Sequence, residues 1–243
     1  MILRDHSHPD SGVPMTGDAV ICSSNTSTGI GLKTLTSSMW NHSGIAVRIL
    51  GDGSISNTRE GDLYMLEINT WMRKDDVDGD MVVGAGYSRF EWMLKRYNIV
   101  AFRSLSDKYR TKSFISKIKP FVDKYKGTSF TTDVEPFFSA WIGVTTDGNK
   151  PEKRDTMFCS EFMAHFYLET LDMNNMNDIF GDEGPLLPDL CTPEHYSANC
   201  TSKSKVFENY NTIIYMEHSD IGSVLIPIIL FTFFIVILIW YFL

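Results

Sequence analysis

Asn41-His42-Ser43-Gly44-Ile45-Ala46-Val47-Arg48-Ile49-Leu50 is the stretch on which the reading of this chain turns. From Ser43 on it reads as a strand, with Ile45, Val47 and Ile49 on one face. A turn-rich run from Gly51-Asp52-Gly53 to Gly61 leads into a second strand, Asp62-Leu63-Tyr64-Met65-Leu66-Glu67-Ile68-Asn69. Two runs joined in this way predict an antiparallel hairpin. Opposed residues of a hairpin share a constant index sum, and the sum of His42 and Glu67, 109, puts the symmetry point between Ser54 and Ile55, inside the turn. In that register His42 and Glu67 are cross-strand neighbours with Cβ atoms about 5 Å apart. A carboxylate there would orient the imidazole and stabilise its cation. Gly44 and Ala46 share the parity of His42, and their small side chains are expected to let a helix approach that face.

Upstream, Gly17-Asp18 enters a short strand, Ala19-Val20-Ile21-Cys22, followed by a loop-like Ser/Thr/Gly stretch from Ser23 to Ser38. Downstream, Trp71 to Tyr97 has a weak pattern with an acidic loop over Asp75 to Asp80, and Ile99-Val100-Ala101-Phe102-Arg103 reads as a third strand. Lys112 to Lys126 carries Phe114, Ile115, Ile118, Phe121, Val122 and Tyr125 at helical spacing, with Gly127 placed to end it. A second helix is expected to start near Asp155 or Thr156, turning Phe158, Phe162, Phe166 and Leu171 toward a core. Asn174 to Asn211 reads as mostly irregular.

Cys159 falls in the first turn of that second helix. Free N–H groups and the helix dipole stabilise a thiolate there and lower its pKa from about 8.5. The same N–H groups serve a developing oxyanion. Cys159, His42 and Glu67 therefore form a candidate nucleophile, base and orienting carboxylate. The competing reading is plain packing: a cysteine beside Phe158 and Phe162 is a small buried hydrophobe, and Glu67 is a solvent-facing strand residue. Ser160, Glu161 and His165 read as helix residues rather than catalysts.

Composition narrows the partners. A net charge of −8 over 243 residues disfavours nonspecific nucleic-acid binding. The four cysteines, Cys22, Cys159, Cys191 and Cys200, form no CxxC pair and no zinc-finger spacing, and His6 and His8 sit in a polar tail, so neither a metal nor another cofactor is expected. Ile221 to Leu243 is uncharged and rich in Ile, Leu, Phe and Val. As a helix it would be about 34 Å long against a hydrocarbon core of about 30 Å, so a single C-terminal transmembrane anchor is expected, with the bilayer as a partner. With no signal peptide visible, the anchor would leave the domain on the cytosolic face. The organisation read is a polar tail over 1–14, one domain over 15–210, a linker over 211–220 and the anchor over 221–243. Sequons at Asn25, Asn41 and Asn199 would matter only to a luminal domain.

Taken in order, Gly17-Asp18 with its strand, Asn41 to Val47, Glu67 closing the next strand and Phe158-Cys159-Ser160-Glu161-Phe162 resemble the circularly permuted papain-like hydrolases, the NlpC-type, YiiX/YebB-like enzymes that have relatives in poxviruses and other large DNA viruses. Histidine precedes cysteine here, which is the permuted order. Lys126-Gly127-Thr128-Ser129-Phe130 and Thr192-Pro193 are similar to further segments of that family, and the resemblance spans Met15 to Ser197. It implies an α+β permuted papain-like fold, with a small antiparallel sheet packed on the cysteine helix. It also implies Cys159 as nucleophile, His42 as base and Glu67 as third member, the last being the position the family varies. Asn69 to Asn98 is longer than the family pattern and reads as an insertion. The implied activity is cleavage or transfer of an amide, ester or thioester acyl group, on an acyl-lipid or a peptide, in a tail-anchored and viral setting. The rival is a tethered interaction or virion protein that uses the fold without catalysis.

Overall fold

The structure is a computed structural model that describes residues 12–26, 29–31, 33, 38–130, 156–182, 184, 185, 187–198, 200, 203–209 and 211–216. Alternating apolar residues in Ala19–Ser23 (β1) and His42–Ile49 (β2) build the centre of an antiparallel sheet, and every residue of both strands is buried. Ile55–Ser56 (β3), Asp62–Lys74 (β4), Met81–Arg89 (β5), Ile99–Arg103 (β6) and Thr212–Met216 (β9) complete seven strands in the order β5-β4-β2-β1-β6-β9, with β3 on β2. The sheet is larger than the small one expected. It also reaches into the stretch read as a linker, since Thr212–Met216 pairs with β6. Ser129–Phe130 (β7) and Thr156–Met157 (β8) form a separate parallel pair.

Side-chain parity divides the sheet cleanly. Ala19, Ile21, Ile45, Val47, Leu66, Ile68 and Ala101 point to one face and form the main core with Lys112–Tyr125 (α2) and Cys159–Thr170 (α3). Phe114, Ile118 and Phe121 from α2 and Phe162 and Phe166 from α3 are at most 3 % exposed, each worth about 1.5–3 kcal/mol of transfer free energy. Val20, Cys22, Ala46, Met65 and Val100 point to the other face, covered by Phe90 and Met93 of Phe90–Arg96 (α1) and by Tyr97. Thr111 caps α2 by accepting from Phe114 N, and Gly127, at φ 84°, takes the left-handed turn that ends it. A short helix, Asn177–Phe180 (α4), follows α3.

Three expectations are corrected here. The helix bearing Cys159 packs on the Ile45/Val47 face, not on that of Gly44 and Ala46. Gly44 is small for another reason: a Cβ there would lie 2.5 Å from Met65 Cε and 2.7 Å from the Leu66 carbonyl oxygen. That helix also starts at Cys159, because Thr156 and Met157 are held in β8. Finally, the C-terminal membrane helix is withdrawn from the fold, and with it the tail-anchored, single-pass localisation. Among the described residues no helix is long and apolar enough to cross a membrane. The longest, α2, has 14 residues, about 21 Å against about 30 Å of hydrocarbon. Residues 221–243, like the His6 and His8 tail, lie outside the described residues.

Candidate active site

The hairpin forms, but in a different register. Ile45 pairs with Leu66 and Ala46 with Met65, a constant sum of 111 rather than 109, so Glu67 stands opposite Gly44. The two-residue difference comes from the connection. Before reaching β4 the chain pairs Ile55 and Ser56 with Ile49 and Arg48, on the edge that β1 has vacated, and then crosses to the other edge of β2. His42 and Glu67 become diagonal neighbours on one face instead of opposed ones, a separation that long side chains span. His42 Nε2 lies 2.6 Å from Glu67 Oε2.

Glu67 is fully buried and held at both oxygens, since Ser88 Oγ donates to Oε1 at 2.6 Å. Ser88 comes from β5, inside the segment read as an insertion. Tyr97, from the same segment, lays its ring parallel to the imidazole, 5.5 Å between centroids and 7° between planes. Neither residue was singled out in the sequence. A serine among the Gly and Tyr of Gly84-Ala85-Gly86-Tyr87-Ser88 was the available signal, and that stretch had no clear period.

With Nε2 on Glu67, the other ring nitrogen of His42 is left for Cys159, whose thiol is electrostatically coupled to the imidazole. Cys159 is the first residue of α3, and Phe158, its N-cap, has its N–H taken by Glu161 Oε2 at 3.2 Å. The thiol therefore sits against the N–H groups that begin the helix, where negative charge is favoured. Burial acts first and strongly on all three groups, disfavouring every charge. It is outweighed. Hydrogen bonds and charge from Cys159 and Glu67 raise His42 from 6.5 to about 9. Those from His42, helped by Arg73 and Ser88, lower Glu67 from 4.5 to about 2. The Cys159 thiol is lowered from its ordinary value, against burial, chiefly by His42 and then by Ser43. The arrangement favours a thiolate–imidazolium pair backed by a carboxylate. Cys22, directly opposite His42 on β1, is driven the other way by burial and the nearby negative charges, and stays a thiol.

The remaining residues considered have local tasks. Ser160 Oγ donates to the Cys191 carbonyl at 2.6 Å, Glu161 closes the start of α3, and the His165 ring lies 6.0 Å from that of Tyr125. Asn41 is occupied with Ser24, donating to its carbonyl and accepting from its N–H, which fixes the entry to β2. All four cysteines are free.

No family model matches the sequence, and no curated protein matches it. Among solved structures the chain is similar to the metalloprotein yiiX from Escherichia coli O157:H7, DUF1105, with a TM-score of 0.47 and 14% identity over 80% of this chain and 98% of that one. The likeness is weak and carries no argument about activity. Nothing in these comparisons places the chain among viral proteins, and that expectation is not retained. That neighbour is described as a metalloprotein. In this chain no group of three or more His, Cys, Asp or Glu side chains among the described residues is arranged to hold a metal ion.

Proposed function

We propose that the chain is a cysteine-dependent hydrolase or acyltransferase acting on an amide, ester or thioester acyl bond. The observation that supports this reading most is the Cys159–His42–Glu67 set, with His42 Nε2 held 2.6 Å from a fully buried carboxylate and the same imidazole coupled to the Cys159 thiol at the start of α3. The Cys159 thiolate attacks the carbonyl carbon and a C–S bond forms. The N–H groups at the start of α3 take the developing oxyanion. The bond to the leaving group then breaks as the His42 imidazolium passes it a proton, leaving an acyl-enzyme. Neutral His42 next takes a proton from water or another acceptor nucleophile. That nucleophile attacks the acyl carbon, and the thiolate leaves. Glu67 holds the ring and stabilises its cation throughout.

The test is alkylation of Cys159 in the full-length chain by iodoacetamide across pH, with the labelled site read by peptide mass to separate it from Cys22, Cys191 and Cys200. A rate at pH 6 well above that of free cysteine, abolished in Cys159→Ala and reduced at least tenfold in His42→Ala, supports the reading. An acyl adduct on Cys159 from a p-nitrophenyl ester would extend it to chemistry. Cys159 is only 5 % exposed, which favours a second reading: a binding domain that keeps the fold and leaves the thiol inert. Labelling no faster than a free thiol, indifferent to His42, would decide for that reading.

A further inference from the structure

Ser43 follows the proposed base directly, and its surroundings single it out. Ala46 N donates to the Asp18 carbonyl at 2.9 Å, so even-numbered residues of β2 turn their N–H groups toward β1 and odd-numbered ones turn away. On that far edge β2 pairs with β4 only as far as Ile45 and Leu66. Ser43 lies just past the end of the ladder, with its N–H on the side that β4 has left. There the N–H adds to the field that favours a charged Cys159 sulfur. The Ser43 side chain shares parity with Ile45 and Val47 and so projects onto the face that carries α3. The residue is 0 % exposed, and its Oγ has no nitrogen or oxygen partner among the described residues. The polar atom beside it is again the Cys159 sulfur. In the resting arrangement this contact falls short of a formed hydrogen bond. A thiol is a weak acceptor, whereas an ionised sulfur draws a hydroxyl in.

We propose that Ser43 is a positioning residue for the Cys159 thiolate, offering it two preset donors, the backbone N–H and the Oγ–H, from the side opposite the helix. The proposal rests on the reading of Cys159 as nucleophile and adds to it. The thiolate is held from three directions: by the start of α3, by His42 and by the free end of β2. A buried serine on a strand face otherwise formed by Ile45, Val47 and Ile49 then has a physical reason. Its hydroxyl acquires its acceptor when the sulfur ionises.

The test is the pH profile of Cys159 alkylation in the full-length chain, comparing wild type, Ser43→Ala and Ser43→Thr. The titratable groups facing Cys159 are His42 with Glu67 behind it, Cys22, Tyr97 and Tyr196, and all are retained in these variants. Ser43→Ala should move the acid midpoint of reactivity up by about one pH unit, about tenfold in rate below it. The alkaline end, set by His42, should stay in place, and Ser43→Thr should restore the wild-type midpoint. Should Ser43→Ala fail to fold, Ser43→Thr against Ser43→Val repeats the comparison, since those side chains differ in shape by almost nothing but carry or lack the hydroxyl. A fast wild-type thiol with superimposable Ser43→Ala and wild-type profiles would overturn this proposal and leave the hydrolase reading standing. A wild-type thiol no faster than free cysteine would overturn both.

Discussion

Replacing Glu67 by Gln keeps the size of a fully buried side chain and removes its charge. His42 is held at about 9 against an ordinary 6.5, so the cation is favoured by about 3 kcal/mol after burial has been overcome. Cys159 contributes the larger part of that support and Glu67 the rest, while burial stays unchanged in the variant. His42 should therefore fall by about one to two units. The pH–rate profile of Cys159 alkylation, or of turnover once a substrate is known, should keep its shape with its alkaline limb moved from about 9 to between about 7 and 8. An NMR titration of the His42 ring should report the same displacement. Acid stability gives an independent reading. Glu67 is depressed to about 2 from 4.5, so its contribution is present above about 4.5 and is lost as pH falls through about 2. By the same conversion the wild type should lose about 3 kcal/mol of unfolding free energy over that window, and the Gln variant should lack that part of the slope. An alkaline limb that stays near 9 in a folded Glu67→Gln protein would refute the assignment of Glu67 as the partner of His42.

Tyr97→Leu removes the ring stacked on the imidazole and keeps apolar cover over it. Such contacts are worth about 0.5–1.5 kcal/mol, so alkylation or turnover at neutral pH should fall by about two- to tenfold with little change in melting temperature, and an unchanged rate would remove Tyr97 from the site. Asp18→Asn breaks the buried ion pair with Arg110, which also donates to the Thr16 and Leu105 carbonyls, and leaves a guanidinium without its counter-charge. Unfolding in urea should show a loss of about 3–5 kcal/mol, whereas a loss under about 1 kcal/mol would mean that water reaches Arg110.

Much of this could be read from the chain, for identifiable reasons. β2 announces itself because Ile45, Val47 and Ile49 fall at every second position, and α2 because its apolar stripe has helical spacing and a glycine follows it. Cys159 at the start of a helix was likewise accessible, though its N-cap, Phe158, was placed two or three residues early; a two-residue parallel strand pairing with Ser129 and Phe130 leaves no local signal. The register was missed because a constant index sum assumes one turn between two strands. Here Ile55 and Ser56 pair on one edge of β2 before the chain crosses to the other, and only the position of β1 determines that. Asn69 to Asn98 was opaque for a related reason. β4 runs on to Lys74 through an irregular pairing between Asn69 and Arg73. The turn beyond it folds back so that Asp75 and Arg73 satisfy the N–H and carbonyl of Tyr87 at the edge of β5. A strand whose edge is covered by side chains from its own hairpin has no clean period of two, and it hides the strand that supplies Ser88.

The site lies where the pairing of β2 with β4 ends, and that location explains how groups from opposite faces of one sheet meet. His42 and Glu67 belong to the face covered by α1, and Cys159 to the face covered by α3. In the middle of a continuous sheet the backbone layer would separate them. His42 is the first residue of β2, three positions outside the last pair, Ile45 with Leu66. There the layer is open on the β4 side, and an imidazole can touch a carboxylate on one face and a thiol on the other. The diagonal register is what leaves that gap. Had β4 continued two residues further along β2, Ile68 would stand beside Ser43, and its backbone would occupy the space that the Cys159 sulfur uses. The arrangement is therefore sensitive to the length of the 50–61 connection. Deleting two residues from the exposed 57–60 turn should favour a shifted pairing. That shift would disturb the His42–Cys159 contact while leaving the hydrophobic alternation of β2 and β4 intact, since a shift by two keeps every side chain on its own face.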